Sequence, residues 1–537
     1  MKRLLHQSTA TILMLATASF VMAQTVGARG AGVARAGAGN NNQSRSNVSN
    51  QFKLPPAAVE QFTLKNGLRV VFNRDSAIPV VSVAVYYNTG SRNEKQGRTG
   101  FAHLFEHMMF QGSENVPKAA HFQFISNAGG DMNGNTTTER TAYFQTLPAN
   151  QLPLALWLES DRMRSLAVTK ENLDNQRKAV QEEKRMRFDN QAYLNGLLRI
   201  NEMIFKNFSN AHPPIGSMED LEAASAEDVA EFFRIYYAPN NAVLVISGDF
   251  VPAEARALVE KYFGTIPRQP DPPAPDVTEP PEVALRQDTY NDRFAQLPAF
   301  ILGWKLPARR TQDFYALQLA GELLFKGESS RLYQKMVKGE ESVLAIQGFF
   351  GERRGPSSMY IFTVPKPGKA PEQIQQTVLG EIKRLATDGP TAEEMEKLRN
   401  SLINDAVRGR QSSLFRAQQI AEYTLYDNDP NLFNTELDRY LAVSSEQIKQ
   451  AVKRFLDTDN HSTLNIVPAG ASAAPRASTP QQSQQPKPDT PPPTVPDKPK
   501  PTQPTQPTTP VQPGQTTGQP QQPTDTPKPQ QSGTGRP

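Results

Sequence analysis

The chain has 537 residues, 45 prolines, no cysteine, and 58 basic against 54 acidic side chains, for a formal net charge of +4. The missing cysteines exclude a disulfide framework and thiolate-ligated metal sites, and basic residues interspersed with acidic ones give nucleic acid no binding stripe. An apolar content of 37% in a chain this long points to two folded domains diluted by segments too polar to fold.

Residues 1–23 read as an export signal. Lys2 and Arg3 precede the apolar run TILMLATASFVM, and Ala23 occupies a cleavage position before Gln24. That run is short for a membrane span, and no later segment approaches twenty consecutive apolar residues. The expectation is a periplasmic or secreted protein with no membrane span in the mature chain. Residues 24–50, built of Gly, Ala, Asn, Ser and Arg, read as a disordered leader.

Residues 51–267 read as a first lobe. The stretch QFTLKNGLRVVFNRDSAIPVVSVAVYY, broken at Asn66-Gly67, predicts a hairpin and then a buried strand. A helix containing FAHLFEHMMF follows, then TAYFQTLP as a strand. LPLALWLESDRMRS and TKENLDNQRKAVQEEKRMRFDN read as helices, and NAVLVISGDF as a strand leading into the helix PAEARALVEKYF. Proline-rich residues 268–284 form a linker, residues 285–468 a second lobe, and residues 469–537 a Pro/Gln/Thr-rich tail expected to be disordered with polyproline II character.

The second lobe overlays the first at a constant offset of 215, HMMFQGS at His107 matching ELLFKGE at Glu322. His103 then falls on Gln318, Glu106 on Gly321 and His107 on Glu322. This is the pattern of a duplication in which one copy lost its polar residues. The expected fold is α+β: two homologous lobes, each a mostly antiparallel sheet with helices packed on it, joined by the proline-rich linker.

Two of the six histidines, His103 and His107, are four residues apart on the first predicted helix, with Glu106 between them. Residues at that spacing share a helix face, so both imidazoles can converge on one ion while Glu106 stands beside it. Zinc held by two imidazoles and a carboxylate lowers the pKa of a bound water to about 7, and a free Glu can take its proton. The competing account is a polar, solvent-facing turn. A third ligand is sought in NQRKAVQEEKRMRFDN, where Val180, Met186 and Phe188 indicate a partly buried helix. Glu182 and Glu183 point about 100° apart there, and spacing alone leaves both open. His121 reads as a packing or surface residue and His212 as a loop residue, both outside the site.

Together with EHMMFQGSENVP, DMNGNTTTERTAYF, YYAPNNAVLVISGDF and FGTIP, this motif resembles the pitrilysin/insulinase zinc peptidases, in particular their shorter bacterial, mitochondrial-processing-peptidase-like branch, from about Phe52 to Pro468. The resemblance implies one Zn2+ per chain, held by His103, His107 and Glu183, the last identified by a Val-x-x-Glu pattern beginning at Val180. It implies Glu106 as general base. It also places the strand of Asn133, Gly134, Asn135 and Thr136 beside the metal, pairing with the main chain of a peptide substrate. The glycines of that strand suit close backbone approach, or else a β-bulge. Many members carry Glu where this chain has Gln176, which can hydrogen-bond a ligand but brings no charge.

The family's other half usually presents an Arg and, seven residues on, a Tyr, yet Met336–Ile346 contains neither. Arg331 and Tyr333, just before it, look like a packing motif. The resemblance therefore implies a homodimer, or a heterodimer with a related subunit that carries the Arg-Tyr clamp. The expected function is an exported zinc-dependent endopeptidase that hydrolyses peptides or unfolded segments with metal-activated water. The competing expectation is a zinc-retaining peptide-binding or assembly subunit with little turnover of its own.

Overall fold

The computed structural model describes residues 53–280, 285–457 and 459–470, so the export signal, the leader and nearly all of the tail lie outside the described residues. The hairpin forms where Asn66-Gly67 places it. Strands β1 (Glu60–Thr63) and β2 (Arg69–Arg74) flank Gly67, whose φ of 91° suits glycine. The Asn66 side chain locks the turn to the lobe by donating to the carbonyls of Phe263 and Ile266.

With β3 (Val80–Tyr87), β4 (Asp131–Thr136), β5 (Thr141–Pro148) and β6 (Ala242–Gly248), the hairpin makes a six-stranded sheet in the order β1-β2-β6-β3-β5-β4. The apolar run VVSVAVYY becomes β3, buried on both faces and paired on both edges. A second sheet holds β7 (Arg286–Asp292), β8 (Ala299–Leu306), β9 (Val343–Gly351), β10 (Ser357–Pro365) and β11 (Ser462–Pro468), in the order β7-β11-β8-β10-β9. Strand for strand, β2-β6-β3-β5-β4 matches β7-β11-β8-β10-β9. Each sheet also has one parallel pair, β2 with β6 and β7 with β11, among otherwise antiparallel neighbours. The two lobes share one topology, as the internal repeat predicts.

The two lobes exchange helices, a pairing that amphipathic spacing alone does not specify. The helix α3 (Leu194–Ile204), which belongs to the first lobe in sequence, lies on β8 and β11 of the second sheet. Its Ile200, Met203 and Ile204 pack among Ile301, Phe362, Leu464 and Ile466. Reciprocally, the helix α5 (Ser413–Asp427) of the second lobe lies on β3 and β6 of the first sheet. Ala417, Ile420, Ala421 and Leu425 close over Val71, Ala84, Phe144 and Val245. Each sheet thus keeps its own helices on one face and borrows a helix from the other lobe for the opposite face.

Residues 268–280 of the linker carry no regular element. They are tied down by Glu279, whose carboxylate accepts from the backbone N–H groups of Lys206 and Asn207 and from the Asn210 side chain. No helix among the described residues is long and apolar enough to cross a membrane.

Candidate metal centre

The helix α1 (Phe101–Met108) carries FAHLFEHM. Phe101, Ala102, Leu104, Phe105 and Met108 are buried in the first lobe's core, which turns His103 and His107 toward a partly open face. Helix α2 (Lys170–Lys184) packs alongside. Thr169 caps its start by accepting from the Asn172 amide, and Glu183 sits in its last turn. Past Lys184 the backbone widens into a π-helical turn, Arg185–Asp189. Met186, in that turn and expected to be partly buried, is 60% exposed, while Phe188 packs against the first lobe's core.

Between α1 and α2 three donors converge. Glu183 Oε2 lies 3.2 Å from His107 Nε2 and 3.8 Å from His103 Nε2, and one donor atom from each residue falls within 4.8 Å of the others. No other group of His, Asp and Glu meets that condition among the described residues. The imidazole rings stand edge to face, with centroids 4.9 Å apart. Glu182 turns the other way, exposed and paired with Arg185 at 3.3 Å, so of the two it is Glu183 that lies beside the histidines. Arg187 contacts Glu183 Oε1 at 2.8 Å and steadies it from the solvent side. Arg187 stands at i,i+4 from Glu183, a spacing that signals this ion pair in the sequence itself.

The protonation states suit a cation. Burial, with His107 nearby, lowers the His103 pKa to about 4, so its imidazole is neutral and has a lone pair to offer. Glu183 is partly desolvated, which raises its pKa, but the His107 hydrogen bond and the charges of its neighbours outweigh that and hold it at about 2. At His107 burial opposes the charge while Glu183 and Glu106 favour it, and the net shift is upward. The largest upward pull comes from Glu183, a carboxylate that a metal ion would share, and a metal ion would displace the proton. Two neutral-capable imidazoles and one ionised carboxylate, without cysteine, fit a hydrolytic zinc site rather than a closed structural one.

Glu106 stands apart from the three donors. Buried between α1 and β4, it has a pKa raised to about 7 by desolvation, against the pull of a Thr136 hydrogen bond. Thr136 Oγ1 donates to Glu106 Oε2 at 2.6 Å. Gly134 leaves room for the carboxylate, since a Cβ there would come within 3.2 Å of Glu106 Oε1. The four residues singled out on β4 therefore divide. Gly134 and Thr136 face Glu106. Asn133 and Asn135 are registered with Phe144 and Ala142 and belong to the opposite face, where Arg140 donates to the Asn135 side chain. β4 is also the terminal strand of its sheet.

Gln176, buried on α2, is within hydrogen-bonding reach of His107. His121 is buried on the helix Ala120–Asn127, and His212 is buried and paired with Glu94, so neither joins the triad.

The repeated copy shows what replaced the polar groups. In α4 (Gln312–Phe325), Gln318 accepts a hydrogen bond from Tyr440, and Glu322 pairs with Lys326 at 2.7 Å. At Gly321 the space is taken by Phe350 of β9, and a Cβ would come within 2.1 Å of that ring. Apolar contact and ion pairing have closed the second cleft.

The chain is similar to known proteins over both lobes. The sequence model described as Insulinase (Peptidase family M16) matches residues 69–210, and that described as Peptidase M16 inactive domain matches residues 223–402. The chain is 28% identical over 413 residues to the zinc protease PqqE of Helicobacter pylori, covering 75% of this chain and 91% of that one. A crystal structure of a Helicobacter pylori protease superposes with a TM-score of 0.74 at 25% identity, over 77% of this chain and all of that one. The periplasmic protease PqqL of Escherichia coli has the same fold, with a TM-score of 0.64 at 19% identity, over 78% of this chain and 48% of that one. With two adjacent family models across both lobes and one topology repeated in each, the chain belongs to the insulinase family of peptidases, M16.

Proposed function

We propose that this chain is an exported zinc-dependent endopeptidase that hydrolyses peptides or unfolded segments. The observation that carries this reading is the convergence of His103, His107 and Glu183 beside a buried carboxylate, Glu106, that is not one of the three donors. The relatives named as zinc proteases support the reaction class.

In this reading His103 Nε2, His107 Nε2 and Glu183 hold one zinc ion. Bound there, zinc supplies Lewis-acid chemistry, lowering the pKa of a bound water to about 7 and polarising a carbonyl. Glu106 is the general base. Thr136 occupies its Oε2, which leaves Oε1, facing Gly134, free to take a proton from the attacking water and pass it to the leaving amine. A pKa of about 7 before metal binding matches that task, and a neighbouring cation would lower it. As the terminal strand, β4 has an outer edge open to an extended substrate, which selects peptides that can adopt a strand and exchange hydrogen bonds with amides such as those of Met132 and Gly134, now donated to the Asp131 and Asn133 side chains. Asn133 and Asn135, whose side chains lie on the other face of β4, contribute by setting the course of that strand rather than through contact with the metal.

Arg331 is held by both Glu394 carboxylate oxygens and the Gly389 carbonyl, so it is spent on packing, and Met336–Ile346 offers no Arg or Tyr. We assign the missing clamp to a second subunit, either another copy or a related chain. Export rests on the Lys2-Arg3 and TILMLATASFVM signal, and the periplasmic location of Escherichia coli PqqL supports it.

The test is hydrolysis of a quenched-fluorescence peptide library by the purified protein, alone and mixed with any relative that carries an Arg-Tyr pair, alongside metal analysis. Stoichiometric zinc with cleavage that stops on chelation and returns on zinc addition is the expected result. Zinc bound stoichiometrically with every peptide left uncut would favour the peptide-binding subunit instead.

A further inference from the structure

Helix α1 brings both histidines and Glu106 to the site in eight residues, yet it has no cap of its own. Its N-cap is Gly100, at φ 84°, with no side chain to offer. The amides of its first turn are served by a residue outside the helix. Glu94 Oε2 accepts from Gly100 N–H at 3.0 Å, and Oε1 accepts from Ala102 N–H at 2.8 Å. A carboxylate at this position also opposes the positive end of the helix dipole.

The Glu94 side chain has no solvent exposure, so its charge needs a partner. His212, 118 residues later, supplies it, with Nε2 3.0 Å from Glu94 Oε2. The other ring nitrogen, Nδ1, lies 2.6 Å from the Phe208 carbonyl, which can only accept, so Nδ1 carries a proton. The imidazole also stacks on Phe208, with centroids 4.2 Å apart and planes at 15°. A ring fixed in this way, facing a carboxylate that already accepts two amides, is arranged as an imidazolium–carboxylate pair.

The loop that carries His212 grips the same helix end twice more. Gly216, at φ 71°, lies backbone to backbone on Gly100, and a Cβ on it would come 2.5 Å from Gly100 Cα. Thr99 Oγ1 donates to Asp220 Oδ2 at 2.5 Å and accepts from Ser217 N–H at 3.0 Å. The start of α1 is thus fixed from three directions by residues 212–220.

We propose that Glu94 and His212 are positioning residues for the metal centre. They fix the first turn of α1 and thereby the directions in which His103, the residue after Ala102, and His107 present their nitrogens. This inference rests on the metallopeptidase reading above.

The test measures metal affinity by competition with a chromophoric chelator, and ligand geometry from the visible spectrum of the cobalt(II)-loaded protein. Glu94→Ala and His212→Ala are expected to weaken zinc binding by about tenfold or more and to shift the cobalt bands, the scale seen when groups supporting ligands are removed. His212→Gln, which keeps a donor toward Glu94, is expected to recover at least half of that loss. Alanine variants that fold with native circular dichroism, bind zinc within about twofold of the unaltered protein and keep its cobalt spectrum would overturn the proposal. So would a His212→Gln variant that recovers nothing, since the loss would then belong to loop packing. If the alanine variants do not fold, Glu94→Gln, which removes the charge but keeps an acceptor, decides by the same affinity and spectrum. If the unaltered protein binds neither zinc nor cobalt, the metal-centre reading itself fails; normal binding that survives these substitutions defeats the positioning role alone.

Discussion

Glu106 and His107 are neighbours in sequence but do different work because a helix turns by 100° per residue. His107 looks across to Glu183, whereas Glu106 looks down onto β4, where Thr136 holds one oxygen and Gly134 makes room for the other. Glu106→Gln is expected to retain zinc and to lose roughly 10²- to 10⁴-fold in turnover, the usual worth of a general base. Metal analysis of that variant beside its peptidase rate checks this, and loss of the metal would mean that Glu106 is a ligand. Gly134→Ala examines the same carboxylate from the strand side. The added methyl would lie within 3.2 Å of Glu106 Oε1 and 3.3 Å of the Ala142 carbonyl. The expected outcome is a fall in kcat larger than any rise in KM, with zinc content and melting temperature kept. Unchanged kcat would show that Glu106 does not need the room Gly134 leaves it. At this scale much was legible. The i,i+4 histidines and the intervening Glu announce themselves because a metal site must converge on one face. The division of β4 into a face toward Glu106 and a face away from it was not legible, because the motif names residues in order while alternation along a strand decides which of them meet.

At the scale of elements, the start of α1 depends on a pair whose charge depends on pH. Burial pulls the His212 pKa down, and the hydrogen bond and charge of Glu94 push it up by more, so the net shift is upward from 6.5. A raised folded-state value means that the stabilisation is fully present below 6.5 and is lost as pH rises through the raised value. Glu94 is shifted upward by burial, which gives a slope of the same sign at lower pH, from 4.5 upward. The melting temperature of metal-free protein is therefore expected to fall as pH rises above 6.5, more steeply in the unaltered chain than in His212→Gln. Parallel curves would mean that the pair carries no titrating charge. His212 was read from sequence as an ordinary loop residue, since a contact across 118 residues leaves no local pattern. The π-helical turn after Lys184 was equally hidden, because residues 185–189 read as a continuation of the helix and only packing sets where the ladder widens. The hairpin and β3 were readable because each rests on neighbours within a few positions.

At the scale of the molecule, the repeat reported two lobes, and the structure adds that neither is finished without the other. The apolar face of α3 is written in its sequence, but amphipathic spacing says only that a helix must cover something, not which sheet. Here α3 covers the second sheet and α5 the first, so cutting the chain at the linker would leave each sheet with one bare apolar face. Residues 51–267 expressed alone should expose Val71, Ala84, Phe144 and Val245, and residues 285–470 alone should expose Ile301, Leu464 and Ile466. Each fragment is expected to aggregate or to lack a cooperative unfolding transition, and co-expression is expected to restore a soluble pair that co-elutes on gel filtration. Within the intact chain, Ile420→Ala, which removes a fully buried side chain from α5, should cost about 2–5 kcal/mol. Because α5 bridges the lobes, that cost should lower a single transition shared by both. Two separate transitions, or a first-lobe fragment that unfolds cooperatively as a monomer, would mean that the exchanged helices only decorate sheets that are stable without them. The metal centre gives the exchange a consequence for chemistry. β5, which pairs with β4, is held on its far face by α5, so the lobe without donors still contributes to the rigidity of the strand against which Glu106 is set.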